Sequence, residues 1–251
     1  MKKTSKERCL LIVRIPPEMS FFTDGRFDTL CVSGFHRGMK KLFPILIVPL
    51  LLLGGCAQLS QRAVYDNPAY KPKDPSKVVV KVSLSKQMVY VMEGNRPLLV
   101  TACCVGDASH PTPKGSFTVL SKNRNKRSGE YGFDVLNKMI HACSLSQAHG
   151  HYVGYPMPYW VEFTPGYGFH QGWVWPMPRS HGCVRIHAND AGKFFVLVHE
   201  GTPVKIAASQ PEDATLGANH KRPQDYNDPD LPSEILTAQK YFEQLKVPFL
   251  Q

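Results

Sequence analysis

The densest group of reactive side chains lies in residues 167–185, YGFHQGWVWPMPRSHGCVR. Cys183 supplies a thiol, with His181 two positions before it and His170 thirteen before it. A thiol becomes an effective nucleophile near neutral pH when a base or a positive neighbour favours the thiolate. One of the two imidazoles suits that task and the other suits orienting the loop. Gly182 lets the backbone come close to a reacting carbonyl, and the amides around Gly182 and Cys183 are candidate donors to an oxyanion. Arg185 suits a two-pronged grip on a carboxylate, which points to a substrate with a free acid group. Together these residues fit acyl transfer through a thioester. His170, His181 and Cys183 also read as a zinc site. Against that reading, no H-E-x-x-H sequence is present and only three ligands cluster. A lone cysteine is most often buried filler, so His-Gly-Cys does not decide the matter by itself.

The elements that must position these groups are mainly strands. Residues 78–84 and 88–92 are rich in β-branched side chains, and the turn signal Glu93-Gly94-Asn95 separates the second run from 98–105. Val80, Val82 and Leu84 alternate with Lys81 and Ser83, as in a half-buried strand. Further strands are predicted at 116–121, 159–164, 168–170 and 202–207. A helix is predicted over 189–199, capped by Asn189 and ended by Gly201. Residues 124–156 read as loop, and 208–232 are polar and rich in Pro. A short amphipathic helix is predicted over 233–245, with Ile235, Leu236, Ala238, Tyr241, Phe242 and Leu245 inward. The order predicts a mostly β catalytic domain over 77–207 and a polar C-terminal tail over 208–251.

Composition narrows the function classes. The chain has 251 residues, of which 43% are apolar, enough for a packed core. The net charge is +10, but half of it falls in residues 1–41. No basic stripe interleaved with aromatics is present, which argues against nucleic-acid binding. Seven cysteines occur, at 9, 31, 56, 103, 104, 143 and 183, with no C-x-x-C pair. An odd count without that spacing supports neither a zinc ribbon nor a regular disulfide framework. Cys103 and Cys104 are neighbours on a predicted strand and so face opposite ways. Cys143 is left as a possible partner for one of them.

Residues 39–57 read MKKLFPILIVPLLLLGGCA. Lys40 and Lys41 precede a twelve-residue apolar run that would span about 18 Å as a helix, against about 30 Å for a hydrocarbon core. That is the shape of a signal peptide, expected over 39–55. Leu53-Gly54-Gly55-Cys56 resembles the lipobox of bacterial lipoproteins, which implies cleavage before Cys56 and acylation of its thiol. Residues 1–38 are then expected to be a non-native extension ahead of a true start at Met39, and 56–76 a lipid-anchored tether. No Asp follows Cys56, so the implied address is the periplasmic face of an outer membrane.

Four segments in order carry a second resemblance. Residues 180–185, Ser-His-Gly-Cys-Val-Arg, resemble the S-H-G-C-[VI]-R signature of the L,D-transpeptidase (YkuD-like) family. Residues 168–172, Gly-Phe-His-Gln-Gly, resemble its G-[IF]-H-x-G segment. The strand pair around Gln87, and Gly106 followed by Thr112-Pro113-Lys114-Gly115-Ser116-Phe117, resemble its opening strands and its T-P-x-G-x-[FY] element. The resemblance implies a β-sandwich or barrel-like domain with one or two short helices. It implies Cys183 as nucleophile, His170 as proton acceptor and donor, His181, Ser180 and Gly182 as builders of the loop, and Arg185 as a substrate-placing residue. The implied partner is the peptidoglycan stem peptide, cleaved before its terminal D-alanine and passed to an amine or to water, with no metal or other cofactor. A non-catalytic peptidoglycan-binding lipoprotein is the alternative, and intact His170, Ser180, His181, Cys183 and Arg185 argue against it. Gln171 departs from the family pattern. Trp173 and Trp175 are expected to pack rather than to line the acceptor side.

Overall fold

The computed structural model describes residues 64–251. Cys56, the leader and the extension before it lie outside the described residues. No helix among the described residues is long and apolar enough to cross a membrane.

Ten strands follow in chain order: β1 (Val78–Ser83), β2 (Met88–Glu93), β3 (Arg96–Cys104), β4 (Gly115–Thr118), β5 (Ser121–Leu136), β6 (Met139–Ser144), β7 (His151–Thr164), β8 (Tyr167–Gln171), β9 (Val184–Ile186) and β10 (Pro203–Ala207). They form one sheet in the order β4-β10-β1-β2-β3-β9-β8-β7-β5-β6. Helix α1 (Ala188–Leu197) lies between β9 and β10, and a short α2 (Ser233–Thr237) follows β10. The mostly β class with few short helices is as expected from the sequence.

Alternation sets the core. Val78, Val80 and Val82 of β1 are fully buried and meet Val89 and Val91 of β2, Phe169 of β8, Val184 and Ile186 of β9, and Phe194 of α1 in one cluster. The rings of Phe169 and Phe194 lie 4.6 Å apart. Each such buried side chain contributes roughly 1.5–3 kcal/mol. The opposite face of β2 and β3 is also covered. Met88, Tyr90, Met92, Ala102 and Val174 make a second cluster, with Tyr65 and Leu216 packed against it.

Three expectations are corrected. Residues 124–156 are not a loop: β5, β6 and β7 form a long antiparallel ribbon, paired from Ser121↔Glu162 to Val135↔His151 and from Leu136↔Met139 to Tyr131↔Ser144. The ribbon has no apolar period because most of β5 is solvated on both faces, and main-chain pairing alone makes it a strand. Its β5–β6 turn is Asn137-Lys138, both with positive φ (51° and 65°), as a two-residue hairpin requires. The cap of α1 is His187, whose Nδ1 accepts from the Asn189 amide at 3.2 Å, so Asn189 lies inside the first turn. The helix predicted over 233–245 is broken. Ala238 is extended (ψ 138°) between α2 and the 3₁₀ turn Gln239–Gln244, and Arg127 takes the carbonyls of Leu236, Thr237 and Ala238. Leu236 and Phe242 are buried there, while Ile235 is exposed.

Both flanks of the domain lie along it. The segment read as the end of a tether runs against the domain from Val64 on. Tyr65 Oη accepts from the Ala102 amide (2.9 Å), Asn67 donates twice to the buried Asp190 of α1, and Ala69 bridges Leu99. The Gln251 amide donates to the Ala69 carbonyl, and the Lys71 amide donates to the Gln251 carbonyl.

Candidate active site

Strands β8 and β9 pair in parallel, with Phe169 opposite Val184 and His170 opposite Arg185. Paired residues share a face, and successive residues alternate. Phe169, Val184 and Ile186 therefore enter the core, where all three are fully buried. His170 and Arg185 take the other face, and Cys183 directly precedes β9. Sequence spacing leaves the base open between two histidines; of the two, His170 lies on the strand paired with β9.

His170 is buried, and its Nδ1 lies 2.7 Å from the Gln171 carbonyl. A carbonyl only accepts, so Nδ1 carries the proton and Nε2 keeps its lone pair. Burial, with the neighbouring Arg185 charge adding to it, pushes the imidazole pKa down to about 4. The Cys183 thiol is half-buried, with Sγ 3.9 Å from the Gly166 carbonyl. Burial raises its pKa above the ordinary thiol value, while the Gly168 backbone and Arg185 pull the other way. Both shifts favour the neutral forms, thiol and imidazole. Arg185 lies against Gly172, where a Cβ would come within 3.1 Å of its Cδ.

The loop before Cys183 is built from its own main chain. Ser180 is fully buried; its hydroxyl donates to the Cys183 carbonyl (2.5 Å) and accepts from the Gly182 amide (3.1 Å). The Gly182 amide is thus committed inside the loop, not turned toward a reacting carbonyl as its position in the sequence suggested. Gly182 has φ +101°, and a Cβ there would fall 2.4 Å from the Tyr167 ring, so no other residue fits. Its carbonyl accepts from Thr112 Oγ1 (2.9 Å), and Thr112 in turn accepts from the Gly106 amide (2.9 Å). The amides of Arg179 and Ser180 both donate to the Val105 carbonyl (3.0 Å). Thr112 is a site residue that reactive-group reasoning passed over; its place in the T-P-x-G segment was the available signal.

His181 is exposed and stands apart from the pair. Its ring stacks on Tyr131 of the ribbon (4.7 Å, 19°) and meets His110 edge-on (4.7 Å, 70°). The described residues hold no group of three or more His, Cys, Asp or Glu that could bind a metal. Cys103, Cys104, Cys143 and Cys183 are free thiols. Four strands separate β6, which holds Cys143, from β3 in the sheet order, and Cys143 pairs with neither Cys103 nor Cys104. Of the two tryptophans in the connecting loop, Trp175 packs on Tyr226 (5.3 Å) and under the Arg179 guanidinium (4.1 Å), while Val174 between them is fully buried.

Comparison with known proteins follows the same outline. The family model of the L,D-transpeptidase catalytic domain, YkuD, matches residues 77–206. Similar solved structures include an L,D-transpeptidase from Stackebrandtia nassauensis (22% identity over 57% of this chain and 60% of that one, TM-score 0.40). Another is from Mycobacterium smegmatis (20%, 53% and 59%, TM-score 0.42). A third is Mycobacterium tuberculosis L,D-transpeptidase 1 (26%, 53% and 60%, TM-score 0.39). The match spans about three-fifths of the length of these structures. No curated protein matches. The family model covers more than half of the chain and takes in every strand from β1 to β9, so this chain belongs to the L,D-transpeptidase catalytic domain (YkuD) family.

Proposed function

We propose that this protein is a peptidoglycan L,D-transpeptidase working through a thioester on Cys183. The observation that supports the reading is the parallel β8–β9 pairing, in which His170 lies opposite Arg185 and Cys183 directly precedes β9. The donor is a stem tetrapeptide. Cys183 Sγ attacks the carbonyl of its third residue as the thiol proton passes to His170 Nε2. The carbon–nitrogen bond to the terminal D-alanine breaks, and His170 returns the proton to the leaving amine. An acceptor amine then attacks the thioester, gives its proton to His170 and displaces the Cys183 thiol. Water in place of the amine yields a trimmed stem. Arg185 holds a stem carboxylate, and Ser180, His181 and Gly182 keep the loop in shape. A neutral resting pair makes proton transfer part of the attack, because no preformed thiolate is stored.

The address belongs to the same reading. Residues 39–55 act as a signal peptide, Cys56 carries the lipid, and the domain works in the cell envelope at the periplasmic face of the outer membrane.

Intact-protein mass spectrometry tests the chemistry. The protein is incubated with a disaccharide-tetrapeptide beside a Cys183→Ala control. A mass gain on the unaltered protein alone, with release of D-alanine, is the expected result. Binding of the stem without an adduct or D-alanine would replace this reading with that of a non-catalytic peptidoglycan-binding protein. For the anchor, Cys56→Ala is expected to move the protein from the membrane fraction to the soluble one.

A further inference from the structure

Residues 208–251 follow the family-matched region, which ends at 206. Their composition is that of a solvated tail, yet they close over the outer face of β2 and β3. Asp213 accepts from Tyr90 Oη and Ser83 Oγ, both at 2.7 Å, and Glu212 pairs with Lys81. Arg222 then reaches four backbone carbonyls. Its Nη1 donates to Lys86 and Gln87 (3.2 Å each), and its Nη2 donates to Cys103 (2.9 Å) and Trp175 (3.0 Å).

These contacts converge on the loop that joins His170 to Cys183. Arg222 holds the Trp175 carbonyl, and the Asp225 carboxylate takes the Val174 amide (3.2 Å). The Tyr226 ring packs on Trp175, and Trp175 carries the guanidinium of Arg179, the residue before Ser180. Gln87, whose carbonyl Arg222 also holds, donates to the Pro176 carbonyl (2.9 Å) and accepts from the Val105 amide. Val105 in turn receives the amides of Arg179 and Ser180. Two routes therefore run from one guanidinium to the residues flanking the Cys183 loop.

We propose that the segment from Arg222 to Tyr226 is part of the catalytic apparatus, with Arg222 as the positioning residue for the loop that carries Cys183. It touches no reacting atom and acts through Trp175 and Gln87. The proposal deepens the transpeptidase reading and rests on Cys183 being the reactive thiol. A planar fork that serves four carbonyls has no equivalent in a single ammonium. Lysine is thus expected to restore the fold but only part of the geometry.

The test uses the full chain and reads Cys183 alone, by iodoacetamide alkylation followed by peptide mass mapping, which needs no donor substrate. Arg222→Ala is expected to slow Cys183 alkylation, and stem acylation through kcat more than KM, by roughly 10- to 100-fold, the cost of a misplacement near 1 Å. Arg222→Lys is expected to fall between. Asp213→Asn loosens the chain upstream of that segment, where it holds Tyr90 and Ser83 and not the loop, and is expected to lower Tm while leaving the alkylation rate per folded molecule unchanged. Tyr226→Ala, which removes only the ring on Trp175, carries the test if Arg222→Ala does not fold, with an expected slowing of several-fold. Equal alkylation rates and pH profiles for Asp213→Asn and the loop-side variants would overturn the proposal. Normal alkylation of the unaltered protein without D-alanine release would instead count against the transpeptidase reading and leave this one to be judged on alkylation alone.

Discussion

The seam between β8 and β9 and the ribbon of β5, β6 and β7 are both sheet, but they hold their shape by different means. In the seam every residue has two constraints. Phe169, Val184 and Ile186 are fixed by the core behind them, and His170 and Arg185 pair on the face in front. In the outer ribbon strands β5 and β6 most side chains are at least partly exposed, and the strands are set largely by main-chain bonds and by the turn at Asn137-Lys138, whereas β7 packs Tyr159, Val161 and Phe163 into the core. The ribbon reaches the site through Tyr131 on His181 and Trp160 near His170. Register is thus fixed from both sides at the seam and mainly by the backbone in β5 and β6.

The largest effects should come from the seam. Cys183→Ala is expected to abolish acylation. His170→Gln, which keeps the shape but removes the base, is expected to cost about 10²–10⁴ in the rate of acyl-enzyme formation, the usual share of general acid–base catalysis. Measured single-turnover kinetics with a retained rate would show that His181 or solvent serves as base. Next in size are the buried bonds that shape the loop. Thr112→Val and Ser180→Ala each leave backbone groups of the loop without partners and are expected to lower stability by about 1–3 kcal/mol. Denaturant melts, read beside Cys183 alkylation, check both.

Titration sharpens the contrast further. His170 has its pKa near 4 when folded and near 6.5 when unfolded. Between those values the unfolded chain binds a proton that the folded one does not. Stability should therefore fall as pH drops from about 6.5 to about 4 and level off below, by on the order of 3 kcal/mol in all. His170→Gln should flatten that slope. The raised Cys183 pKa predicts that alkylation keeps climbing beyond pH 9. A plateau near pH 6–7 would instead reveal a stored thiolate and imidazolium. The smallest effect belongs to the ribbon. Tyr131→Ala is expected to change acylation by only about 2- to 5-fold, within the reach of one exposed ring contact. Amides of β5 and β6 should exchange with solvent faster than those of β8 and β9.

The same difference explains what the sequence made legible. Ser180–Arg185 and Gly168–Gly172 stand out because reactive side chains there alternate with apolar ones that form strands. Strands β1 to β4, β8 and β10, and the end of β7 at 159–164, were visible for the second reason alone. Strands β5, β6 and the start of β7 were not, since polar residues leave no period to find there. Nor was the commitment of the Gly182 amide to Ser180, because main-chain bonds leave no mark on side-chain pattern. His187 displaced Asn189 as the cap of α1 because imidazole Nδ1 does the work of the usual oxygen acceptor. The segment 208–251 looked like tail because its hold on the domain runs through Arg222 and Asp213, which read from composition as solvated charge.

The strap at Tyr65–Ala69 sets how mechanical load enters the domain. Tension from upstream of Val64 is borne first by Asp66 and Asn67, which grip Lys193 and Asp190 of α1, and by Tyr65, held at Thr101 and Ala102 of β3. From there it reaches β8 through the Phe194–Phe169 contact, with the core between it and the thiol. The outer strands β5 and β6 lie beyond β7, which α1 meets through Phe195 on Tyr159. A domain tugged from that side is loaded through α1 and the core before β5 and β6.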